Sequence, residues 1–261
     1  MTETHTVGLL GFGRIGRALA DRIRSAPDFD LEYVLVRSQT ADLSAETQVT
    51  DPSRLADLPV DLAVEAATHE VVADLGETVL EASDLVVLSG SAFADGAVED
   101  RLVAAADAND AAVYLPHAAL LGVDGLADAR DALDSVSIRA TKAPAHLDFA
   151  YTDELAPDDV DGRTVLYEGP VRGLCELFPR NFNSHATVAL ASLGLDRTTS
   201  TLVADPSVDT ADHVITASGA GFDLEITRRS DIEGVTGDYT LFSIWGSIRR
   251  ALDADEGLRF L

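Results

Sequence analysis

The segment DTADHVITASG, Asp209 to Gly219, places a histidine at the start of a predicted strand, directly after an acidic turn. An imidazole has an unperturbed pKa of about 6.5, so His213 can accept and release a proton near neutral pH. Most isolated histidines are packing or surface residues. The residue type and its position therefore leave three interpretations open: a solvated turn residue, a capped core residue or a proton-transfer group.

Two cations are candidates for binding a carboxylate. Lys142 is the only lysine in the chain and lies in TKAP at the end of another predicted strand. Its ammonium group suits a substrate carboxylate or the nitrogen of an iminium, and the alternative is the chance survival of one surface lysine. Arg180, in FPRNFN, can bind a carboxylate through two hydrogen bonds. Its alternative is an arginine at a helix start, paired with a surface acid.

A glycine fingerprint, GFGRIG, follows the first predicted strand and opens the first predicted helix. Gly11 makes the tight turn, Gly13 lets the backbone approach a pyrophosphate and Gly16 lets the helix pack closely on the strand. The helix N-terminus offers N–H groups and a positive dipole to the anion. The alternative is a glycine-rich turn without a ligand, but the strand-to-helix context favours dinucleotide binding. The predicted cofactor-binding residues of this loop are Gly11, Phe12, Gly13, Arg14, Ile15 and Gly16.

The end of the second predicted strand indicates which dinucleotide is bound. A site selective for NAD normally has an acid here to hold the ribose 2′-OH, whereas this strand ends LVRSQT, with Arg37 and Ser38 at that point. An arginine attracts the 2′-phosphate of NADP. The sequence therefore favours NADP over NAD, with a solvent-facing arginine and the use of both cofactors as the alternatives.

The overall charge disfavours nucleic acid as a partner. The 261 residues include 45 acidic and 19 basic ones, which gives a formal net charge of −26. Binding to phosphates needs clustered lysine and arginine. So negative a surface repels itself, and high salt screens that repulsion. Together with the near absence of lysine, this predicts a halophilic source.

The remaining composition predicts a cytoplasmic protein without a metal site. Cys175 is the only cysteine, so no intrachain disulfide or cysteine-based zinc site can form. His146 and His185 lack the spacing of metal ligands, and His185 is expected to turn away from the helix face of Asn183. No run of about 18 apolar residues occurs, and MTETHTVGLLGFG lacks the order of a secretory signal. We expect no contact with a membrane.

Two patterns of elements must position these residues. Over the first half, apolar strands such as TVGLL and LEYVLV alternate with helices of about 10 to 15 residues, which is typical of a parallel sheet covered on both faces. Beyond Gly122, VSIRATKAP, TVLYEGPV, STLVADPS and HVITASG alternate like strands with fewer helices between them. We predict an α/β fold: a Rossmann domain with a doubly wound parallel sheet, and a smaller α+β domain with a mostly antiparallel sheet.

The predicted domain boundaries follow from this change of pattern. We expect 1–118 to form the dinucleotide-binding domain and 119–238 the substrate-binding and dimerisation domain. A last helix within 239–261 is predicted to pack back on the dinucleotide-binding domain. A helix is also predicted from Asn181 to Leu193, and an exposed acidic loop from Asp148 to Gly162.

Seven motifs follow one another in an order that resembles the L-aspartate dehydrogenase family over nearly the whole chain. FPRNFN, followed by ADP and then an isolated histidine, is the most specific part. The motifs are VEAA (Val64 to Ala67), LSGSAFAD (Leu88 to Asp95), PHAALLGVDGL (Pro116 to Leu126), TKAP (Thr141 to Pro144), YEGP (Tyr167 to Pro170), FPRNFN (Phe178 to Asn183) and ADPSVDTADH (Ala204 to His213).

The resemblance implies an activity and several roles. The family interconverts aspartate with iminosuccinate, hence with oxaloacetate and ammonia, by hydride transfer to or from NAD(P), and its α+β domain carries the substrate contacts and the interface of a homodimer. By similarity His213 matches the catalytic histidine, and Asn183 and Ala119 match positions that contact the nicotinamide half of the cofactor. Lys142 is predicted to be a second catalytic residue. The predicted substrate contacts are Arg180, Asn181 and His117.

Two stretches depart from the family pattern. The chain has PHAA where the family usually has PSGA, so His117 and Ala118 replace a small hydroxyl residue and a glycine. The approach to the last helix, GVTGDYTLFS, lacks the usual proline. These departures leave open a dehydrogenase for another amino or 2-oxo acid, and a silent NAD(P)-binding module that senses redox state. The sequence also leaves open whether His117 carries the critical proton, in which direction the reaction runs, and whether its product feeds NAD biosynthesis or nitrogen balance.

Overall fold

The computed structural model describes residues 4–152, 156–231 and 239–253. The chain divides into two compact units, the first made of 1–116 with 241–261 and the second of 117–240. Of the departure GVTGDYTLFS, 234–243, the part over 234–238 lies outside the described residues.

The first unit is built on a six-stranded sheet with strand order β3-β2-β1-β4-β5-β6 and parallel pairing throughout. This order is that of a doubly wound dinucleotide-binding fold, as predicted. The strands are β1 (His5–Leu10), β2 (Phe29–Leu35), β3 (Gln48–Val49), β4 (Leu62–Glu65), β5 (Asp84–Val87) and β6 (Val113–Tyr114). The helices between them are α1 (Arg14–Ser25), α2 (His69–Leu80) and α3 (Gly96–Asn109).

The core of the first unit also includes residues from the end of the chain. Strands β1, β2 and β4 are buried through their apolar residues, in keeping with a sheet covered on both faces. The last described helix contributes Ile244, Trp245 and Ile248 to the same apolar cluster. The Trp245 ring lies 4.9 Å from that of Phe29, centroid to centroid.

The second unit is a mixed five-stranded sheet with strand order β11-β10-β7-β9-β8. Three of its four pairings are antiparallel, and only β7 with β9 is parallel, so the predicted α+β class is confirmed. The strands are β7 (Leu133–Lys142), β8 (Thr164–Pro170), β9 (Thr199–Ala204), β10 (Thr210–Gly219) and β11 (Phe222–Asp231). The helices are α4 (Val123–Asp128), α5 (Val171–Leu177), α6 (Asn183–Ala191) and α7 (Tyr239–Ala251), of which α7 belongs to the first unit from Leu241 onwards.

Several predicted elements differ from the structure. Helix α6 begins at Asn183 and not at Asn181. The predicted exposed loop from Asp148 to Gly162 contains two short helical turns, and Val160 is buried in the same cluster as Phe178. Strand β11 was not predicted, although FDLEITRRSD alternates apolar and polar residues, which is the sequence signal of a strand with one covered face.

Candidate active site

The glycine fingerprint forms a tight turn from β1 into α1. Gly11 has a φ of +104°, and a Cβ there would lie 2.8 Å from the carbonyl oxygen of Ala66. A Cβ at Gly16 would lie 2.3 Å from the carbonyl oxygen of Gly11. These distances exclude a side chain at both positions, so the turn and the close packing of α1 on the strand require glycine.

The outer side of this turn is open. Within the described part of the chain, no heavy atom lies within 4 Å of a Cβ built at Gly13. Helix α1 begins at Arg14 with neither a side-chain cap nor an acid in its first turn. Its N–H groups and dipole can therefore accept the pyrophosphate of a dinucleotide, and the glycine at position 13 lets that group come close. Phe12 and Ile15 are half-buried beside the turn.

The end of β2 carries the residues predicted to select the cofactor. Arg37 and Ser38 follow the strand and are both exposed. Arg17 is differently engaged: its guanidinium group pairs with Asp42 and lies 4.4 Å from the centroid of the Phe12 ring. The Asp42 pKa is lowered by this hydrogen bond and charge. Arg37 is thus the exposed cation at the point where a ribose 2′-substituent is read in this fold.

A buried carboxylate joins the ends of two neighbouring strands. Glu65, at the end of β4, is 1% exposed. It accepts hydrogen bonds from the backbone N–H groups of Ala67 (2.7 Å), Leu88 (3.1 Å) and Ser89 (2.9 Å), and from the Ser89 hydroxyl (3.0 Å). Burial raises its pKa to about 7. Glu65 therefore holds together the carboxyl ends of β4 and β5, the edge at which such sheets bind ligands.

In the second unit, the register of the sheet determines what surrounds His213. This residue lies on β10, directly opposite Ala140 of β7 on one side and Arg228 of β11 on the other. Directly opposite side chains point to the same face of a sheet. Lys142 lies two residues after Ala140 on β7, so it also shares this face. The three polar residues therefore face one layer between sheet and helices.

Lys142 is buried and close to aromatic and backbone groups. Its Nζ donates a hydrogen bond to the carbonyl oxygen of Asn181 (3.4 Å) and lies 5.0 Å from the centroid of the Phe182 ring. Burial, and then the charge of Arg228, lower its pKa to about 8. The ammonium group is thus charged at neutral pH but readily titrated.

His185 reaches the same layer from α6. Its Nδ1 lies 2.6 Å from the Ser200 hydroxyl, and its ring is 6.0 Å from that of His213, centroid to centroid. Burial and Lys142 lower the pKa of His185 to about 3. His185 lacks the spacing of a metal ligand, but the packing of α6 on the sheet makes it a neighbour of His213.

His213 is a neutral, buried base in this arrangement. It is 5% exposed, and burial, with Lys142, His185 and Arg228, holds its pKa well below the usual value. Among the described residues, neither of its ring nitrogens has a hydrogen-bond partner. Buried polar atoms in proteins are normally hydrogen-bonded, and unpaired ones at a cluster of charged groups indicate a functional site. A neutral imidazole there can take a proton from a reacting molecule.

Arg180 and Asn181 hold the segment after β7. The Arg180 guanidinium pairs with Asp148 (3.3 Å) and is half exposed. The Asn181 side-chain oxygen accepts from the Asp148 backbone N–H (2.7 Å), and its side-chain nitrogen donates to the carbonyl oxygen of His146 (3.0 Å). A substrate would have to share or displace these contacts to bind the two side chains.

The PHAA stretch forms a constrained turn. Ala118 and Ala119 have φ values of +49° and +61°, a conformation that costs L-residues about 1 to 2 kcal/mol each. Ala118 thus takes a left-handed conformation at the position where the family usually has glycine. His117 is half-buried, and its carbonyl oxygen accepts from the Leu120 N–H (2.8 Å). Asn183 is half-buried at the first position of α6.

Sequence reasoning missed three residues at these sites: Glu65, His185 and Arg228. The sequence carries a signal for two of them. Glu65 is an acid at the end of an otherwise apolar strand, and Arg228 lies on β11, whose alternating pattern predicts a strand. In the described residues there is no group of three or more histidine, cysteine or acidic side chains that could hold a metal. No described helix is both long and apolar enough to cross a membrane.

Two family models match the chain. Residues 124–251 match "Aspartate dehydrogenase, C-terminal", and residues 11–116 match "Homoserine dehydrogenase, NAD binding domain". The second match covers the glycine fingerprint and the carboxyl edge of the first sheet. The first covers Lys142, His185, His213 and Arg228.

Relatives and solved structures agree with these matches. The chain is 34% identical to L-aspartate dehydrogenase of Nitrosopumilus maritimus, over 82% of this chain and 83% of that one. It is also 34% identical to L-aspartate dehydrogenase of Ralstonia pickettii, over 91% and 94%. The crystal structure of aspartate dehydrogenase from Thermotoga maritima superposes with a TM-score of 0.76 at 26% identity, over 99% of this chain and 100% of that one.

Proposed function

Because this chain belongs to the L-aspartate dehydrogenase family, we propose that it interconverts L-aspartate with iminosuccinate, and hence with oxaloacetate and ammonia. The observation that carries the proposal is the buried pair of His213 and Lys142, a neutral base beside an ammonium group, in the unit that matches the family's own C-terminal model. The nicotinamide dinucleotide supplies the acceptor or donor of hydride.

The residues divide the work between them. The loop from Gly11 to Gly16 holds the pyrophosphate, and Arg37 and Ser38 hold the 2′-phosphate of NADP, the favoured cofactor. Ala119 and Asn183 contact the nicotinamide half. These assignments rest on the open glycine turn, on the exposed arginine after β2 and on the family resemblance.

The second unit carries the proton chemistry. When hydride leaves Cα of aspartate, the amine becomes an iminium; water then adds to that carbon, and ammonia departs as the carbonyl forms. As a neutral imidazole, His213 takes a proton from the attacking water, and the imidazolium so formed delivers that proton to the departing nitrogen. The Lys142 ammonium stabilises the adjacent negative charge of the substrate. Arg180, Asn181 and His117 remain the predicted substrate contacts.

A second function is favoured by one observation. His117 stands where the family usually has a small hydroxyl residue, so a different amino or 2-oxo acid is the alternative substrate. We further propose a homodimer adapted to a cytoplasm of high salt, on the basis of the family resemblance and the net charge of −26.

The test of the function is the initial rate of NADPH and NADH oxidation with oxaloacetate and ammonium in molar KCl. Pyruvate, 2-oxoglutarate and reactions without ammonium are the controls. Ammonium-dependent turnover that is fastest with oxaloacetate supports the proposal. Faster turnover with another acid would identify that acid as the substrate in place of the aspartate pair. Cofactor binding without any turnover would favour the redox-sensing module.

A further inference from the structure

We propose that Arg228 binds the side-chain carboxylate of the substrate and so selects a dicarboxylate. This inference rests on the proposed function, because it names a specificity-determining residue for that reaction. It also moves one carboxylate contact from Arg180, the second of the two cations that the sequence offers, to a residue on the strand beside His213.

The first observation is the place of Arg228 in the sheet. Strand β11 turns Phe222, Leu224 and Ile226 toward the covered face, opposite Gly219, Ala217 and Ile215 of β10. Arg228 continues this series and lies opposite His213. Alternation along the strand thus puts a cation where the three preceding residues of the series are apolar. It is only partly exposed there.

The second observation is the contrast with the next residue. Arg229 points to the other face and is bound to Asp212 of β10 through its Nε (3.0 Å) and Nη2 (3.1 Å). In the described part of the chain, Arg228 has no such carboxylate partner. Burial lowers the pKa of Arg228, and the charge of Tyr239 opposes this shift. Among the described residues the charged group is therefore partly desolvated without a carboxylate partner. Of these two adjacent arginines, Arg229 is paired with an acid and Arg228 is not, as far as the described residues go.

The third observation is the spacing of the cations. Arg228, His213 and Lys142 lie on three neighbouring strands, β11, β10 and β7. His213 lies in one row with Arg228 and Ala140, and Lys142 is two residues beyond Ala140 on β7. With strands about 4.8 Å apart and a rise of about 3.4 Å per residue, the Cα atoms of Arg228 and Lys142 are about 12 Å apart on a diagonal that passes His213. A short dicarboxylate lying across His213 can therefore reach one cation with each end.

A structural role for Arg228 is the competing explanation. Strand β11 is at the edge of the sheet, and an inward-pointing charge on an edge strand hinders pairing with another chain. A residue with only that role would affect association and not the choice of substrate.

The experiment compares Arg228→Gln with Arg229→Gln, the matched change on the opposite face of the same strand, in molar KCl. We expect Arg228→Gln to lower kcat/KM for L-aspartate by on the order of 100-fold, since an Arg–carboxylate contact is lost. The effect on L-asparagine, which lacks the charge, should be below about threefold. Arg229→Gln should change neither by more than about twofold.

A binding measurement does not depend on turnover. Calorimetric titration with succinate in the presence of NADP⁺ should show binding to the parent protein and to Arg229→Gln, and none to Arg228→Gln, with butyrate as the monocarboxylate control. Arg228→Lys keeps the charge but loses the two-pronged geometry. It should weaken succinate binding at least about tenfold, and it serves if the glutamine variant does not fold.

The outcomes separate the two proposals. Loss of succinate binding in Arg228→Gln supports Arg228 as the carboxylate anchor, the residue that binds the side-chain carboxylate. This holds even if L-aspartate is not turned over, a result that would overturn only the proposed reaction. Equal losses for L-aspartate and L-asparagine overturn the anchor. It is also overturned if Arg228→Gln retains succinate binding, or if the selective loss appears in Arg180→Gln instead.

Discussion

The rings of His185 and His213 lie 6.0 Å apart, centroid to centroid, in a buried layer between helix α6 and strand β10. Each imidazole is kept neutral by burial and by the nearby Lys142. The Ser200 hydroxyl fixes His185 through Nδ1, whereas neither nitrogen of His213 has a partner among the described residues. Nε2 of His185 also lacks a partner there. The protein thus holds His185 at one nitrogen and His213 at neither, which agrees with the proposed role of His213 toward a substrate.

Replacing His213 should abolish turnover without loss of the cofactor. We expect His213→Asn to lower kcat by about 10² to 10⁴, the usual contribution of a general acid–base. The affinity for NADPH, measured by fluorescence titration, should change by less than about twofold, because the dinucleotide loop belongs to the other unit. Unchanged turnover would refute the role of His213. The control is His5→Gln, at the start of β1 in the first unit, which should leave turnover unchanged.

The stability of the protein should depend on pH through His185. The unfolded chain binds a proton at this residue below pH 6.5, whereas the folded one does so only below about pH 3. Stability from this residue is therefore present above pH 6.5 and is lost as the pH falls toward 3, by up to about 1.4 kcal/mol per pH unit.

The measurement is urea unfolding at pH 7.0 and 5.5 in molar KCl. His185→Gln should show a smaller loss of unfolding free energy between these pH values than the parent protein. The difference between the two proteins isolates His185 from the carboxylates, which both share. An identical loss in both would mean that His185 is not buried in its neutral form.

Lys142 should set the alkaline limit of substrate binding. Because its pKa is about 8, its charge is present below that pH and is lost above it. We expect KM for L-aspartate to rise above about pH 8 in the parent protein. Lys142→Met should have a raised KM at every pH, and Lys142→Arg, which stays charged, should lose the alkaline rise. A rise that persists in the arginine variant would assign it to another group.

Arg37 should determine the preference for NADPH. Removing a cation that contacts a phosphate costs about 1.5 to 3 kcal/mol, so Arg37→Gln should raise KM for NADPH by about 10- to 100-fold and leave that for NADH nearly unchanged. Arg54→Gln, a surface change of the same type, serves as the control. Equal KM values for NADPH before and after the change would show that Arg37 only faces solvent.

The folded state should require salt. The chain has a net charge of −26. The screening length is about 3 Å in 1 M salt and about 10 Å at 0.1 M, so repulsion between the acidic groups reaches further at low salt. Dialysis from molar KCl to about 0.1 M should therefore reduce both helicity, followed by circular dichroism, and activity. Retention of both at low salt would remove the case for a halophilic source.

The sequence by itself determined the features that depend on neighbouring residues. The turn from Gly11 to Gly16 could be predicted because its strand, glycines and helix are contiguous, and the close contacts of Gly11 and Gly16 agree with their expected roles. The two fold classes followed from the periodicity of the elements. His213 and Lys142 could be proposed from residue type and from a resemblance in the order of motifs, and the structure buries both.

Only the tertiary structure decided which distant residues meet. Arg228 faces His213 because of the register between β10 and β11, and a shift of one residue would turn it to the other face. His185 reaches the site because α6 packs over Ser200 and β10, which no local pattern encodes. Such contacts depend on the balance of packing across the whole unit, so the anion-binding side of the site could not be read from the order of residues.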